Sequence, residues 1–137
     1  MNYLQIALIL VFSSLSLLHF YWVLSGQWWL SNALPMNNDG QHVLHPNKML
    51  TFIVALGLLG FASYYLTLLL AYTLPTMAHV VGWVIPTIFL LRAIGDFRYV
   101  GLFKKVKSTE FAKYDNRYYV PLCLSIAVMG VAVAAQL

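Results

Sequence analysis

Four long apolar stretches separated by polar segments dominate the pattern along this chain. They cover about residues 3–24, 49–72, 76–94 and 118–135, and charged side chains are almost absent from them. Each stretch is close to the ~20 residues that an α-helix needs to cross the ~30 Å hydrocarbon core of a bilayer. The pattern therefore predicts an all-α membrane protein, in which residues 1–137 form a single domain, a four-transmembrane-helix bundle.

Composition supports this prediction. Of the 137 residues, 61% are hydrophobic and only 9% are charged, whereas soluble domains carry about 25% charged residues. A soluble domain of this size is thereby excluded. The net charge of +4 would also suit nucleic acid, but the cations flank apolar spans. We therefore expect membrane lipids as partners and no nucleic acid.

The basic residues also predict an orientation. They lie in the two longer connections, 25–48 and 95–117, or at the end of the third span that leads into the second connection. By the positive-inside rule both connections are cytoplasmic and both termini lie outside. We expect a multi-pass protein of the cell membrane, specifically a bacterial inner membrane. The cations are Lys48, Arg92, Arg98, Lys104, Lys105, Lys107, Lys113 and Arg117.

Several residues predict local features of the bundle. Pro86 is expected to kink the third span. Ser108 is expected to cap a short helix lying on the membrane, and Asp115 or Asn116 to cap the fourth span. Small residues would let helices approach closely. These are Gly57 and Gly60 in the second span and Ala127, Gly130 and Ala134 in the fourth.

His19 is the first candidate for chemistry. It lies near the cytoplasmic end of the first span, and a titratable side chain at membrane depth usually faces the bundle interior or a functional cavity. The alternative is a neutral imidazole that only bonds a neighbouring helix. Trp22, one turn further on, is either an interfacial anchor or a contact surface for a ligand.

Arg92 and Asp96 are the second candidates. They are four residues apart at the cytoplasmic end of the third span, so a continuing helix would place them on one face as an ion pair. Such a pair can present a guanidinium to an anionic headgroup or substrate, or it can act only as a structural clamp. Arg98 and Tyr99 extend this candidate site.

A metal site is a weaker prediction. Asp39, His42 and His45 carry the ligand types that zinc accepts, but they lie in an irregular loop, and we favour a solvated loop without metal. Cys123 is the only cysteine, which excludes an internal disulfide and a cysteine-based zinc site. No cofactor is predicted.

The segment Gly-Asp-Phe-Arg-Tyr-Val-Gly at 95–101, with Phe-Ala-Lys-Tyr-Asp at 111–115 and Tyr-Val-Pro-Leu-Cys at 119–123, resembles the second half of an uncharacterised bacterial family. The first half is similar through Leu-His-Phe-Tyr-Trp at 18–22 and Ala-Leu-Pro at 33–35. The resemblance implies a short four-span membrane protein and no particular activity. It also implies a family pattern that includes His19, Trp22, Asp96, Arg98 and Asp115.

Together these features predict that His19, Arg92 and Asp96 converge on one polar pocket at the cytoplasmic leaflet. The pocket would bind a lipid-like, quinone-like or other amphipathic small molecule. One alternative is a small membrane enzyme that uses His19 or Asp96 for proton transfer. Another is an accessory subunit of a larger membrane complex. A homo-oligomer is the other assembly that the sequence allows. The sequence leaves open whether the chain is an enzyme.

Overall fold

The computed structural model describes residues 2–71 and 73–137, and within them regular structure is helical. A 3₁₀ turn spans Ser31–Ala33, and a single π-helical turn, Asp115–Tyr119, joins the last two α-helices. The predicted end of the second span, Tyr72, lies outside the described residues. The α-helices are α1 (Asn2–Val23), α2 (Lys48–Leu70), α3 (Thr76–Ile94), α4 (Glu110–Tyr114) and α5 (Val120–Ala134).

Four helical segments are long and apolar enough to cross a membrane, which confirms the predicted fold class. They are α1, α2, α3 and the continuous segment Glu110–Ala134. The fourth segment therefore begins earlier than the sequence predicts, because α4 continues through the π-turn into α5. Pro121, which has no N–H to donate, follows the π-turn closely, and the helical segment continues through it.

The caps predicted around the fourth span are wrong. Thr109, rather than Ser108, caps α4, and its side-chain oxygen accepts a hydrogen bond from the Ala112 N–H at 3.1 Å. Asp115 and Asn116 lie inside the helical segment, so neither caps its start. The carboxylate is therefore available to other partners.

The bundle consists of two helix pairs, α1 with α2 and α3 with α5. Phe12 of α1 connects them, because its ring lies 5.9 Å from Tyr65 of α2 and 5.3 Å from Phe89 of α3, measured between centroids. Aromatic contacts at this separation add to the burial of apolar area. The core also contains Leu8, Leu58, Ala62, Leu68, Ala78, Ile85, Ile126 and Val133.

Within the chain, Gly130 of α5 lies at a close helix contact, whereas the two glycines of α2 do not. A Cβ on Gly130 would lie 2.8 Å from the Cβ of Pro86, so α3 and α5 need a glycine here. In contrast, a Cβ on Gly57 or Gly60 meets no atom of residues 2–71 and 73–137 within 4 Å. The expectation that these two glycines pack inside the bundle is wrong; they face outward.

Both long connections lie at one end of the bundle, here called the loop end, and the structure joins them. The Trp29 indole donates a hydrogen bond to the Tyr119 hydroxyl at 2.7 Å, and this hydroxyl donates to the Asn32 carbonyl oxygen at 2.8 Å. The Trp29 ring also packs on Tyr114, at 4.9 Å between centroids. The first connection is thereby attached to the π-turn and to α4.

Candidate functional site

The π-turn places a buried carboxylate at the loop end. Asp115 Oδ1 accepts a hydrogen bond from Arg92 Nη2 at 3.0 Å. Its other oxygen, Oδ2, accepts from the Gly101 N–H at 2.8 Å and from Lys104 Nζ at 3.1 Å. We call these four residues, Arg92, Gly101, Lys104 and Asp115, the Asp115 cluster.

All three N–H donors of the Lys104 ammonium are used within or beside this cluster. Its side chain is 1% exposed, and an ammonium group has three donors. They go to Asp115 Oδ2, to the Gly101 carbonyl oxygen at 2.9 Å and to the side-chain oxygen of Asn116. A buried ammonium is tolerated only when it is paired and hydrogen-bonded in this way. Lys104 therefore balances the charge of Asp115 by itself.

Arg92 brings a second positive charge to the same carboxylate. Its side chain is 33% exposed, and only Nη2 is bonded to Asp115. The other terminal nitrogen, Nη1, is buried and has no hydrogen-bond partner among residues 2–71 and 73–137. With one carboxylate and two cations, the Asp115 cluster holds one positive charge in excess. Such a group can accept an anionic ligand.

The chain between α3 and the cluster forms a closed loop, residues 95–101. Gly95 and Gly101 have φ of +87° and +91°. The two ends of the loop cross here, and a Cβ on either glycine would collide with backbone atoms of the opposite end. Only glycine fits at both positions. Since Gly101 also donates to Asp115, the base of the loop is attached to the π-turn.

The Asp96 side chain stabilises this loop by accepting hydrogen bonds from its backbone. Its Oδ1 accepts hydrogen bonds from the backbone N–H groups of Arg98, Tyr99 and Val100, at 2.9, 2.8 and 3.0 Å. Burial alone would raise the pKa of the Asp96 carboxyl, but these N–H groups outweigh it and hold the pKa below its ordinary value. Asp96 is therefore an ionised cap for its own turn.

The predicted pairing of Arg92 with Asp96 is wrong. It required α3 to continue past Ile94, and the helix instead ends there because Gly95 turns the chain into a left-handed conformation. Arg92 pairs with Asp115, 23 positions further along the chain. Arg98 and Tyr99 lie together in the loop, where the guanidinium is 4.9 Å from the centre of the Tyr99 ring.

The structure places His19 and Trp22 in a second group. Nδ1 of His19 lies 2.7 Å from the Leu15 carbonyl oxygen of its own helix, and its ring meets the Trp22 ring at 4.8 Å. The Trp22 indole donates to the Trp28 carbonyl oxygen at 2.9 Å. Across the described part of the chain, no hydrogen bond or ion pair joins His19 to Arg92 or Asp96. That these three side chains line one pocket stays a prediction.

The loop that carries the metal candidates is irregular. The rings of His42 and His45 lie 6.4 Å apart between centroids. Within the described ranges, no group of three or more His, Cys, Asp or Glu side chains is arranged to hold a metal ion. The absence of zinc from the purified protein stays a prediction.

Sequence reasoning missed Lys104 and Asp115 as partners. Asp115 follows Ala112 and Phe111 at spacings of three and four, which places all three on one helix face. Both hydrophobic residues are buried, so Asp115 is buried with them. A helix continuing from 110 into the fourth span was the signal that would have identified it.

Comparison with known proteins identifies a family and supplies no activity. Residues 12–130 match the model of a family described as "Protein of unknown function (DUF3995)", and the chain belongs to this family. No curated protein and no solved structure matches. The matched residues include the whole Asp115 cluster.

Proposed function

We propose that this member of the DUF3995 family binds an anionic amphipathic molecule at the cytoplasmic leaflet of a cell membrane, with the acidic headgroup at Arg92. The excess positive charge of the Asp115 cluster carries this proposal. Lys104 already balances Asp115, and Arg92 keeps a buried donor without a partner. An unsatisfied buried donor costs about 1–3 kcal/mol, and the exposed third of the Arg92 side chain gives a headgroup access to the same positive charge.

The surface beside Arg92 suits the apolar part of such a molecule. A shallow apolar groove runs along the outer face of α3 from Val80 to Ile88 and is lined by Trp83, Val84 and Thr87. At 1.5 Å per residue it is about 12 Å long, and Arg92 follows one helical turn beyond Ile88. A tail in the groove would therefore lead to a headgroup at the guanidinium.

The position in the membrane supports the same ligand class. Arg92 lies in the last turn of α3, so its side chain would lie at the boundary between acyl chains and headgroups. Long cationic side chains extend toward headgroups from such positions. The positive-inside rule assigns this end to the cytoplasmic leaflet, where anionic lipids are concentrated.

Native mass spectrometry tests this function on the detergent-solubilised chain. Short-chain phosphatidylglycerol would be the anionic probe and phosphatidylcholine the zwitterionic one. Arg92→Gln should weaken phosphatidylglycerol binding by about tenfold, since it removes the excess charge and a charge-assisted hydrogen bond. Its fold should survive, because Lys104 still balances Asp115.

Arg117→Gln is the matched control. It removes the same charge from an exposed position near the cluster, where the guanidinium only approaches the Tyr118 ring. Its affinity for phosphatidylglycerol should stay within about twofold of the original chain. Equal binding by the Arg92→Gln variant and the original chain would contradict the proposal, as would equal binding of the two lipids.

The accessory-subunit function is a second candidate, favoured by one observation. Gly57 and Gly60 lie three residues apart on the outward side of α2, with open space where a Cβ would lie. Such a surface allows a helix of another chain to approach closely. The enzyme alternative lacks comparable support, since Asp96 is bonded to its own loop and His19 to its own helix.

A further inference from the structure

Two phenylalanine rings stand exposed at the loop end. Phe97 is 57% exposed and Phe103 60% exposed, and the two rings stack on each other at 6.1 Å between centroids. Leu102 beside them is also about half exposed. A contiguous apolar group of this kind usually marks an interaction surface. We call these three residues the aromatic tip.

The backbone holds the aromatic tip outward in a conformation that is unfavourable for Phe97. Phe97 has φ of +65°, a left-handed conformation that is unfavourable for a bulky side chain. The three bonds to Asp96 and the crossing of Gly95 with Gly101 fix this conformation. Packing inside the chain does not explain it, because the Phe97 ring is exposed.

The charges around the aromatic tip are mainly positive, because the neighbouring carboxylate of Asp96 is bonded to backbone N–H groups of its own turn. Arg98, Lys105 and Lys107 are exposed, and no acidic residue occurs between Phe97 and Thr109. Aromatic rings beside lysine and arginine are the combination that suits the interface of an acidic membrane. The tip also follows the end of α3, a candidate span, by only a few residues.

From these observations we infer that the aromatic tip inserts into the headgroup layer of the same membrane, with Arg98, Lys105 and Lys107 on acidic lipids. The rings supply apolar contact area, and the nearby cations are attracted to an anionic surface. Phe97 and Phe103 are not members of the Asp115 cluster. The inference therefore stands whether or not Arg92 binds a ligand.

A spin label at Leu102 measures the depth of the tip. The label is attached to a cysteine in the double variant Leu102→Cys, Cys123→Ala, so that the native buried thiol does not react. The protein is placed in nanodiscs of phosphatidylcholine, with or without phosphatidylglycerol. Collision with oxygen, which partitions into the bilayer, is compared with collision with a water-soluble nickel complex. The same label at exposed Asp39 is the control.

With acidic lipid, the oxygen-to-nickel collision ratio at Leu102 should exceed that at Asp39 by about threefold or more. The ratio should fall in pure phosphatidylcholine. Adding Phe97→Asn and Phe103→Ser should lower the ratio at Leu102 to the Asp39 value. The loop should still fold, because asparagine tolerates the left-handed backbone at position 97. Arg92→Gln should not change it.

Three results would overturn the inference. The ratios at Leu102 and Asp39 would be equal in acidic nanodiscs, the phenylalanine replacements would leave the depth unchanged, or acidic lipid would have no effect. In the first case the tip faces water, where it would be free to meet another protein. Melting curves of each labelled variant distinguish a lost anchor from a lost fold.

Discussion

Arg92 Nη2 and Asp115 Oδ1 lie 3.0 Å apart, and the pair joins the end of α3 to the turn that leads into α5. Asp115 is completely buried and shares its second oxygen with Lys104 and the Gly101 N–H. The exit of the third span, the closed loop and the entry of the fourth span are thus fixed to one carboxylate. Removing that carboxylate would leave two cations without their counter-charge.

Asp115→Asn should therefore destabilise the fold strongly. Because it leaves Lys104 buried without an anion, the expected loss is about 3–5 kcal/mol in the free energy of unfolding. Arg92→Gln should cost only about 1 kcal/mol, since Lys104 still balances the carboxylate. Chemical denaturation in detergent micelles measures both, with exposed Asp39→Asn as control. If Asp115→Asn and Asp39→Asn unfold alike, the cluster does not stabilise the fold.

The stability of the 95–101 loop should depend on pH through Asp96. Its pKa is lower in the folded loop than in an unfolded chain, so the charged form stabilises the loop. This contribution is present above the unfolded pKa of about 4 and is lost as the pH falls through the lower folded value. Hydrogen exchange at Arg98, Tyr99 and Val100 should show protection that decreases in this range.

Asp96→Ala should remove that protection at neutral pH and abolish its pH dependence. Lys105→Ala is the comparison, because the Lys105 side chain is exposed. It should leave both the protection and the pH profile intact. If the Asp96→Ala variant kept the original profile, the three N–H groups would have another acceptor.

Orientation is tested by reporter fusion. A reporter joined after Leu137 should be active only outside, and one inserted near Lys105 only in the cytoplasm, because the basic connections resist translocation. Activity of the Leu137 fusion in the cytoplasm would reverse this arrangement. It would also remove the cytoplasmic leaflet as the place of the Arg92 site.

Metal content tests the loop of His42 and His45. If the loop is only solvated, the purified protein should contain no stoichiometric zinc, and replacing both histidines with alanine should leave the melting temperature unchanged. Elemental analysis before and after the replacement checks both statements. One zinc per chain that disappears in the variant would identify a metal site.

Association through α2 is tested at its outward glycines. If another chain packs there, Gly57→Leu with Gly60→Leu should abolish the complex, because the added side chains hold the helices apart. Leu66→Ile, at an exposed position of α2, is the control. Crosslinking in membranes gives the oligomeric state. Unchanged crosslinking of the double variant would exclude this face as the interface.

The spans were predictable and the site was not, for different physical reasons. Crossing a bilayer requires about twenty consecutive apolar residues, a signal that can be read locally. The Asp115 cluster depends on contacts between residues 11 to 23 positions apart. Arg92 was recognised as a candidate, but its partner was assigned by helical spacing, and Gly95 ends the helix before that spacing applies.

The π-turn makes the length of the segment 115–119 matter more than most of its individual side chains. Its bond from the Val120 N–H to the Asp115 carbonyl oxygen encloses one residue more than an ordinary helical turn. The wider turn absorbs this extra residue, which in a regular α-helix would rotate everything after it by about 100°. Deleting one residue there would therefore leave Gly130 against Pro86. A further residue inserted in this turn would instead rotate α5 by about 100° and separate the charge cluster from the helix packing that accompanies it.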